Sequence, residues 1–257
     1  LKLTWFACAS ILIETESARL LFDPFVPLDG AEHAVAAEDF GRDNSIFITH
    51  GHYDHAGSAG LIAGNGGSRV YCTASPAVNL AACLADRRGL TVVRPGDRFE
   101  LSGVSVTAHP GRHITYDGRL IRRTVFSARN LRYGKNMRLL LGGRRRFREN
   151  GETVVYEIGA AGKTAVVFGS MAMADGHKYP REPDIAVLPY QGSSDLITPA
   201  RRIIDALGPI AVLLDHFDDA FPPLSRTIDT ASFMETMDRL YPGMRVIKPT
   251  ARQYIDV

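Results

Sequence analysis

The stretch Ser45-Ile46-Phe47-Ile48-Thr49-His50-Gly51-His52-Tyr53-Asp54-His55-Ala56-Gly57 decides how this chain is read. Its first part, Ile46-Phe47-Ile48, has the length and composition of a buried strand. The run stops at once in His50, His52, Asp54 and His55, four metal-ligating side chains within six residues. Polar groups gathered at the end of an apolar strand need partners, and imidazole with carboxylate is a common ligand set of catalytic divalent ions. A solvated loop with chance histidines is the bland alternative, and the density of ligand types weighs against it. In extended chain His50, His52 and Asp54 leave on one side, because successive side chains alternate. His55 leaves differently, at the start of a following helix. One segment can therefore serve two adjacent ions, His50 and His52 one, Asp54 and His55 the other. Further ligands must come from elsewhere, and the candidates are the histidines near other strand ends: His109, His113 and His216.

Outward from this stretch the chain reads as many short strands and three or four helices. Upstream, Leu3–Trp5, Ile11–Ile13 and Leu20–Phe22 are apolar runs, the last two joined by a polar turn as a hairpin. The hairpin ends in Asp23-Pro24, where Asp23 is either a turn cap or a carboxylate aimed into the site. Residues 26–45 read as a loop or weak helix, with His33 on the surface. Downstream, small residues open a helix at Ala56, and Ser75-Pro76 serves as N-cap and first-turn proline of another, running to about Asp86. Strands follow at 98–101 and 104–108, the second entering His109-Pro110-Gly111-Arg112-His113, and then at 154–158, 165–168, 184–189, 210–214 and 245–247. Helices are expected from Thr198, as N-cap, to Leu207 and from Ser225 to Leu240. Strand ends repeatedly deliver His or Asp to a loop, as at Asp215-His216. That pattern fits an α/β chain forming one domain over 1–257, a β-sandwich flanked by helices with its site on one rim.

Composition narrows the class. The 257 residues are 45% hydrophobic and 23% charged, as in a water-soluble globular protein. Cys8, Cys72 and Cys83 are odd in number and lack C-x-x-C spacing, so they read as reduced, mostly buried thiols. No basic-then-apolar leader opens the chain and no apolar run reaches the ~20 residues of a membrane span, so a cytoplasmic protein without a membrane partner is expected.

His-Gly-His-Tyr-Asp-His matches the H-x-H-x-D-H signature of the metallo-β-lactamase superfamily, which the chain resembles over essentially its full length. Within it, the stretches Leu12-Ile13-Glu14, Leu20–Phe25, Pro183–Pro189 and Asp215–Leu224 are similar to the ascorbate-6-phosphate lactonase-like hydrolases. The resemblance implies a four-layer αββα sandwich and metal-assisted hydrolysis on one or two divalent ions, with Zn expected and Mn or Fe as alternatives. It implies His50, His52 and His113 around the first ion, and Asp54, His55 and His216 around the second. His113 is preferred to His109, which becomes the alternative ligand or a supporting residue. Asp54 is also the catalytic candidate, orienting water, and Asp23 and Asp215 are candidates to orient the imidazoles. One departure matters. The resemblance calls for an Asp bridging both ions where this chain has Ser170, a poor bridge between two cations. Asp175 reaching in, a bridge of water or substrate alone, or a weakly held second ion are the possible outcomes; the last is favoured.

From Arg119 to Arg148 there are eleven Lys/Arg and no Asp/Glu, leaving 19 basic against 28 acidic residues elsewhere, a net of −9. Residues 114–151 therefore read as a basic arm or hairpin inserted after His113, turning at Gly142-Gly143. An anion-binding wall containing Arg112, Arg119, Arg122 and Arg123 is one reading, and a solvated or dimer-contacting insert is the other. The expected substrate is an anionic small molecule with an ester, lactone or phosphoester bond. A nuclease or phosphodiesterase using the arm on nucleic acid, and a metal-binding protein with reduced catalysis, are the alternatives. A homo-oligomer is expected.

Overall fold

Strands that read as unbroken apolar runs are covered on both faces. The computed structural model describes residues 1–64, 67–84, 87–118, 122, 127 and 129–257. One seven-stranded sheet is built from β1 (Lys2–Trp5), β2 (Ile11–Glu14), β3 (Arg19–Phe22), β4 (Ser45–Phe47), β5 (Arg69–Cys72) and β6 (Leu90–Val92), and it is edged by the C-terminal β14 (Tyr254–Asp256). The order is β14-β1-β2-β3-β4-β5-β6, antiparallel from β14 to β3 and parallel from β3 to β6. The other sheet contains β7 (Arg98–Leu101), β8 (Val104–Pro110), β9 (Val154–Ala160), β10 (Lys163–Phe168), β11 (Ile185–Pro189), β12 (Ala211–Asp215) and β13 (Arg245–Ile247). It repeats the plan, antiparallel from β7 to β10 and parallel from β10 to β13.

The two-residue period of a strand sorts the side chains between layers. Ile11, Ile13, Leu20, Phe22, Phe47 and Tyr71 enter the core shared by the two sheets. Their neighbours Leu12, Leu21, Ile46, Ile48, Val70 and Cys72 enter a second core. There they meet Ala56 of α1 (Tyr53–Ala56), Ala59 and Ile62 of α2 (Ala59–Gly64), and Ala77 and Leu80 of α3 (Ala74–Leu80). Two more helices, α4 (Arg129–Arg132) and α5 (Gly134–Arg146), carry the basic segment. The second sheet is covered by α6 (Ile197–Leu207) and α7 (Ala231–Leu240), which bury Ile203, Ile204, Leu207, Phe233 and Met237. The result is the four-layer αββα sandwich.

Beneath the ligand stretch the inter-sheet core is aromatic. Phe47 stacks on Tyr71 at 4.5 Å and meets Tyr156 edge-on at 5.1 Å between ring centres. Burying each such ring contributes about 1.5–3 kcal/mol. The Tyr156 hydroxyl donates to the Ile48 carbonyl at 3.0 Å, and Val154 N–H donates to the Thr49 carbonyl at 2.9 Å. The second sheet thus pins the end of β4 where the chain turns into the histidines.

Several elements differ from expectation. The basic segment is helical over Arg129–Arg132 and Gly134–Arg146, not a hairpin. Asn136, Leu140 and Gly143 are its buried residues, at i, i+4 and i+7, and Gly142-Gly143 lies inside α5 rather than in a turn. Thr73, not Ser75, precedes α3, and this helix stops at Leu80. Thr198 lies within α6 rather than capping it. The last helix begins at Ala231, not Ser225. The Ser225 hydroxyl accepts from Phe221 N–H at 2.7 Å and donates to Asp219, a local alternative to helical bonding. Strand β14 had no periodic signal in its three residues.

Candidate metal centre

The rim of the sandwich is assembled from loops that follow β1, β3, β4, β8 and β12. His50 and His52 lie just beyond β4, and His52 is the N-cap of α1, which carries Asp54 and His55. His113 follows β8, and His216 follows β12 with a left-handed backbone, φ 57°. His50, His52 and His113 form one group of mutually close ligand atoms, within 4.8 Å of one another. A second such group is Cys8, Asp54 and His216. His55 lies between them, its ring 4.0 Å from that of His50 and 5.4 Å from that of His216.

The hydrogen-bond network decides which nitrogen each ring presents. The Thr49 hydroxyl donates its single proton to Asp23 Oδ2 at 2.6 Å, so toward His50 Nδ1, 3.0 Å away, it can only accept. His50 therefore carries its proton on Nδ1 and turns the Nε2 lone pair toward His52 Nδ1, at 3.1 Å. His113 Nδ1 lies 2.7 Å from the Ile114 carbonyl, an acceptor only, so His113 also presents Nε2. His55 Nδ1 donates to Asp23 Oδ2 at 2.8 Å and leaves Nε2 3.8 Å from Asp54 Oδ2. His216 Nε2 lies 3.1 Å from the same Asp54 oxygen. Orientation of a ligating imidazole through its second nitrogen is the usual supporting arrangement of a metal site.

Burial sets the charge states. It holds His50 and His113 below the ordinary imidazole value, the neighbouring imidazoles adding to the effect, and lowers His52 to about 4. These rings are uncharged at neutral pH. For Asp54 burial acts upward, but His55, the His216 bond and His52 outweigh it and hold the carboxyl well below the usual range. His216 is raised: burial opposes its charge, and Asp54, Asp215 and Asp218 overcome that. His50 Nε2 and His52 Nδ1, 3.1 Å apart, are close enough to share a proton or a cation. Two nitrogens about 2.0–2.1 Å from one tetrahedral ion are themselves about 3.3 Å apart, close to the observed spacing. The donors fit a divalent ion.

The family model for the metallo-beta-lactamase superfamily matches residues 3–121, which contain six of these ligand-type residues: Cys8, His50, His52, Asp54, His55 and His113. Over those residues the chain is similar to the metallo-beta-lactamase superfamily. It is 34% identical over 152 residues to a UPF0173 metal-dependent hydrolase of Thermoplasma volcanium, a match covering 54% of this chain and 65% of that protein. It is 25% identical over 256 residues to another of Methanopyrus kandleri, covering 96% of each. The chain thus spans a little under two thirds of the Thermoplasma relative's length. Its fold is similar to that of Igni18, a metallo hydrolase from Ignicoccus hospitalis, with a TM-score of 0.68 at 20% identity, covering 100% of this chain and 98% of that one.

Against the superfamily pattern, the remaining candidates fall out as follows. Asp23 is buried and bonds His55 directly and His50 through Thr49, so it faces the histidine cluster and is not a turn cap alone. His109 is not in either ligand group: it pairs with Glu157 at 2.7 Å and His177 at 3.1 Å. Position 109 lies within β8, whereas the loop beyond brings His113 to the rim. Asp175 does not reach in; it is exposed and bridges Arg112 at 2.6 Å and Arg202 at 2.8 Å. That pairing also occupies Arg112. Ser170 is buried, and its hydroxyl accepts from Ile114 N–H at 2.9 Å, steadying the loop that carries His113. Asp215 is buried with both carboxylate oxygens unpartnered among the described residues. Arg122 is exposed, and Arg119 and Arg123 lie outside the described residues.

Three residues of the rim escaped the sequence reading. Tyr116 packs against His113, ring centres 5.4 Å apart, and the charges acting on its hydroxyl include Asp54 and Arg144. Arg144 belongs to α5, which leans on the ligand stretch: a Cβ at Gly143 would lie 2.4 Å from the Tyr53 ring, and one at Gly51 would lie 2.1 Å from the Arg148 carbonyl. Cys8 stands at the end of the first strand, a position that already singled out Asp23 and His216.

Proposed function

We propose that the protein is a metal-dependent hydrolase that binds two divalent ions, His50, His52 and His113 holding the first and Asp54, His55 and His216 the second. The convergence of three uncharged imidazoles, His50, His52 and His113, with ligand atoms within 4.8 Å of one another, carries this reading. The names of the Thermoplasma and Methanopyrus relatives, metal-dependent hydrolases, agree with the hydrolase part of it. Divalent ions at such a site supply a nucleophile from water at neutral pH and polarise a scissile carbonyl or phosphoryl oxygen. Zn suits the imidazole-rich first site, with Mn or Fe as alternatives.

The protein's own groups then have distinct tasks. Asp54, ionised at neutral pH, would help hold the second ion and would orient a water for attack. Asp23 and Thr49 hold the tautomers of His50 and His55. Arg144, Arg145 and Arg146 end α5 beside the ligand stretch and give its rim a positive field suited to an anionic ester, lactone or phosphoester. Metal analysis of the purified chain, with turnover of ester, lactone and phosphodiester probes by the wild type and His52→Ala, tests the reading. Loss of both metal and turnover in the variant is expected; full turnover in it refutes the catalytic assignment. A nucleic-acid phosphodiester substrate is the second reading, favoured by the unbroken basic run. Binding that falls steeply with salt would support it, since each neutralised phosphate releases counterions.

A further inference from the structure

Cys8 lies in the tight loop between β1 and β2, completely buried, with φ 52°. Its backbone is held on both sides. Its N–H donates to Asp218 Oδ1 at 2.9 Å, and its carbonyl accepts from Trp5 Nε1 and His216 N–H, each at 2.8 Å. Glycine adopts such a conformation at least cost, so a side chain kept there on a strained backbone invites a functional explanation. The bland explanation is packing, since the residue touches an apolar cluster with Phe25, Leu140, Ala220 and Phe221. The sulfur faces polar atoms as well. It is 3.6 Å from His216 Nε2 and 3.8 Å from Nδ1, and 3.7 Å from the Asp54 carbonyl oxygen.

We propose that Cys8 is a thiolate ligand of the second divalent ion, bound together with Asp54, His55 and His216. The proposal rests on the dinuclear reading above and adds a donor to it. Sulfur at about 2.3 Å and nitrogen at about 2.0 Å from one tetrahedral ion lie about 3.5 Å apart, against the observed 3.6 Å. His216 Nε2 and Asp54 Oδ2, 3.1 Å apart, form a second edge of the same polyhedron. Charge supplies an independent argument. Asp54 alone leaves a dication half-neutralised, and Ser170, bonded to Ile114 N–H, offers no anion from its strand end. A thiolate completes the neutralisation, and binding releases the thiol proton to solvent with no change of oxidation state. Among the described residues Asp215 has neither carboxylate oxygen partnered and Asp218 has Oδ2 unpartnered; both are buried beside this group, and uncompensated buried acids are the surroundings a cation would relieve. Thiolate also shifts the preference of this site toward Zn or Co and away from Mn.

Cobalt reports the bond directly. Co(II) added to the chelator-stripped full chain should develop visible bands as ions bind, and the second equivalent should add a near-ultraviolet sulfur-to-cobalt charge-transfer band. Cys8→Ser and Cys8→Gly should lose that band and bind the second equivalent at least tenfold more weakly, while the first binds as before. The glycine variant suits φ 52° and covers the case in which serine fails to fold. Two bound cobalt ions without the charge-transfer band in wild type overturn the thiolate and leave the dinuclear reading standing. A band that survives Cys8→Gly assigns it to Cys72 or Cys83 and likewise overturns the proposal. Failure to bind any cobalt refutes both.

Discussion

Asp23→Asn tests whether one buried carboxylate holds both halves of the centre in register. Asp23 is 1% exposed and accepts three hydrogen bonds, from Thr49 N–H at 2.7 Å, the Thr49 hydroxyl at 2.6 Å and His55 Nδ1 at 2.8 Å. Asparagine keeps the shape but has only one accepting oxygen, and its amide nitrogen would face N–H donors. At least one charge-assisted bond is lost, about 1.5–3 kcal/mol, and a buried donor is left unpaired. The damage is not confined to His55. Once the Thr49 hydroxyl has no acceptor it can turn toward His50 Nδ1, which favours the tautomer whose lone pair points away from the ions. Disruption of such supporting bonds typically costs 10–100-fold in metal affinity. Competition with a chromogenic chelator reads both equivalents, and urea unfolding of the metal-free chain reads the stability loss separately. Both equivalents should weaken in Asp23→Asn, and neither in the control Asp175→Asn, whose carboxylate is exposed. An unchanged first equivalent would refute the route through Thr49, and two unchanged equivalents would refute the orienting role altogether.

Other perturbations separate the remaining claims. Gly143→Ala drives a methyl to within 2.4 Å of the Tyr53 ring and should cost about 1–3 kcal/mol in urea unfolding, whereas Gly142→Ala, with open space around it, should be neutral or stabilising. Arg144→Glu should raise KM for an anionic probe while leaving that for a neutral ester within about twofold, because steering by charge is specific to sign. Acid should affect the two ions differently. His52 titrates at about 4, so the first ion should keep its affinity down to about pH 5. His216 is raised, so below its pKa a proton must leave before the second ion binds, and that affinity should fall as pH drops. Isothermal titration at pH 7.5 and pH 5.5 checks this, and equal loss at both sites would contradict it.

The ligand stretch was legible because its signal is local. An apolar strand followed by His50, His52, Asp54 and His55 needs no tertiary knowledge to suggest a metal. The alternation of Ile11-Leu12-Ile13 and Leu20-Leu21-Phe22 between two cores was hidden, because both faces are covered and every position is apolar. The helix in the basic segment was also hidden. Its buried residues are an asparagine, a leucine and a glycine, so no apolar stripe marks the face that packs. Cys8 and Asp218 meet across 210 residues through a single bond from backbone to side chain. Such contacts leave no spacing to read, and only the assembled rim brings them together.

Three of the nine positive-φ non-glycine residues among the described residues lie at the rim. Cys8, Asp23 and His216, from three separate strand ends, all sit at positive φ of 52°, 43° and 57°. Each such non-glycine residue costs about 1–2 kcal/mol. These costs are opposed by bonds that also tie the three loops together: His216 N–H to the Cys8 carbonyl at 2.8 Å, Cys8 N–H to Asp218 at 2.9 Å, and Asp23 N–H to the Phe47 carbonyl at 3.0 Å. A left-handed residue at the end of a strand reverses the course of the chain and turns the side chain away from the strand's alternation. Here all three residues bring a metal-type donor, or the residue that orients one, to the same rim. A fold selected for stability alone would place glycine at such corners. Retaining thiol, carboxylate and imidazole there costs free energy that the loop hydrogen bonds oppose, and ligand bonding to a cation would offset it further. The three left-handed corners therefore bring their side chains to one rim by backbone geometry, independent of the H-x-H-x-D-H spacing that first drew attention to it.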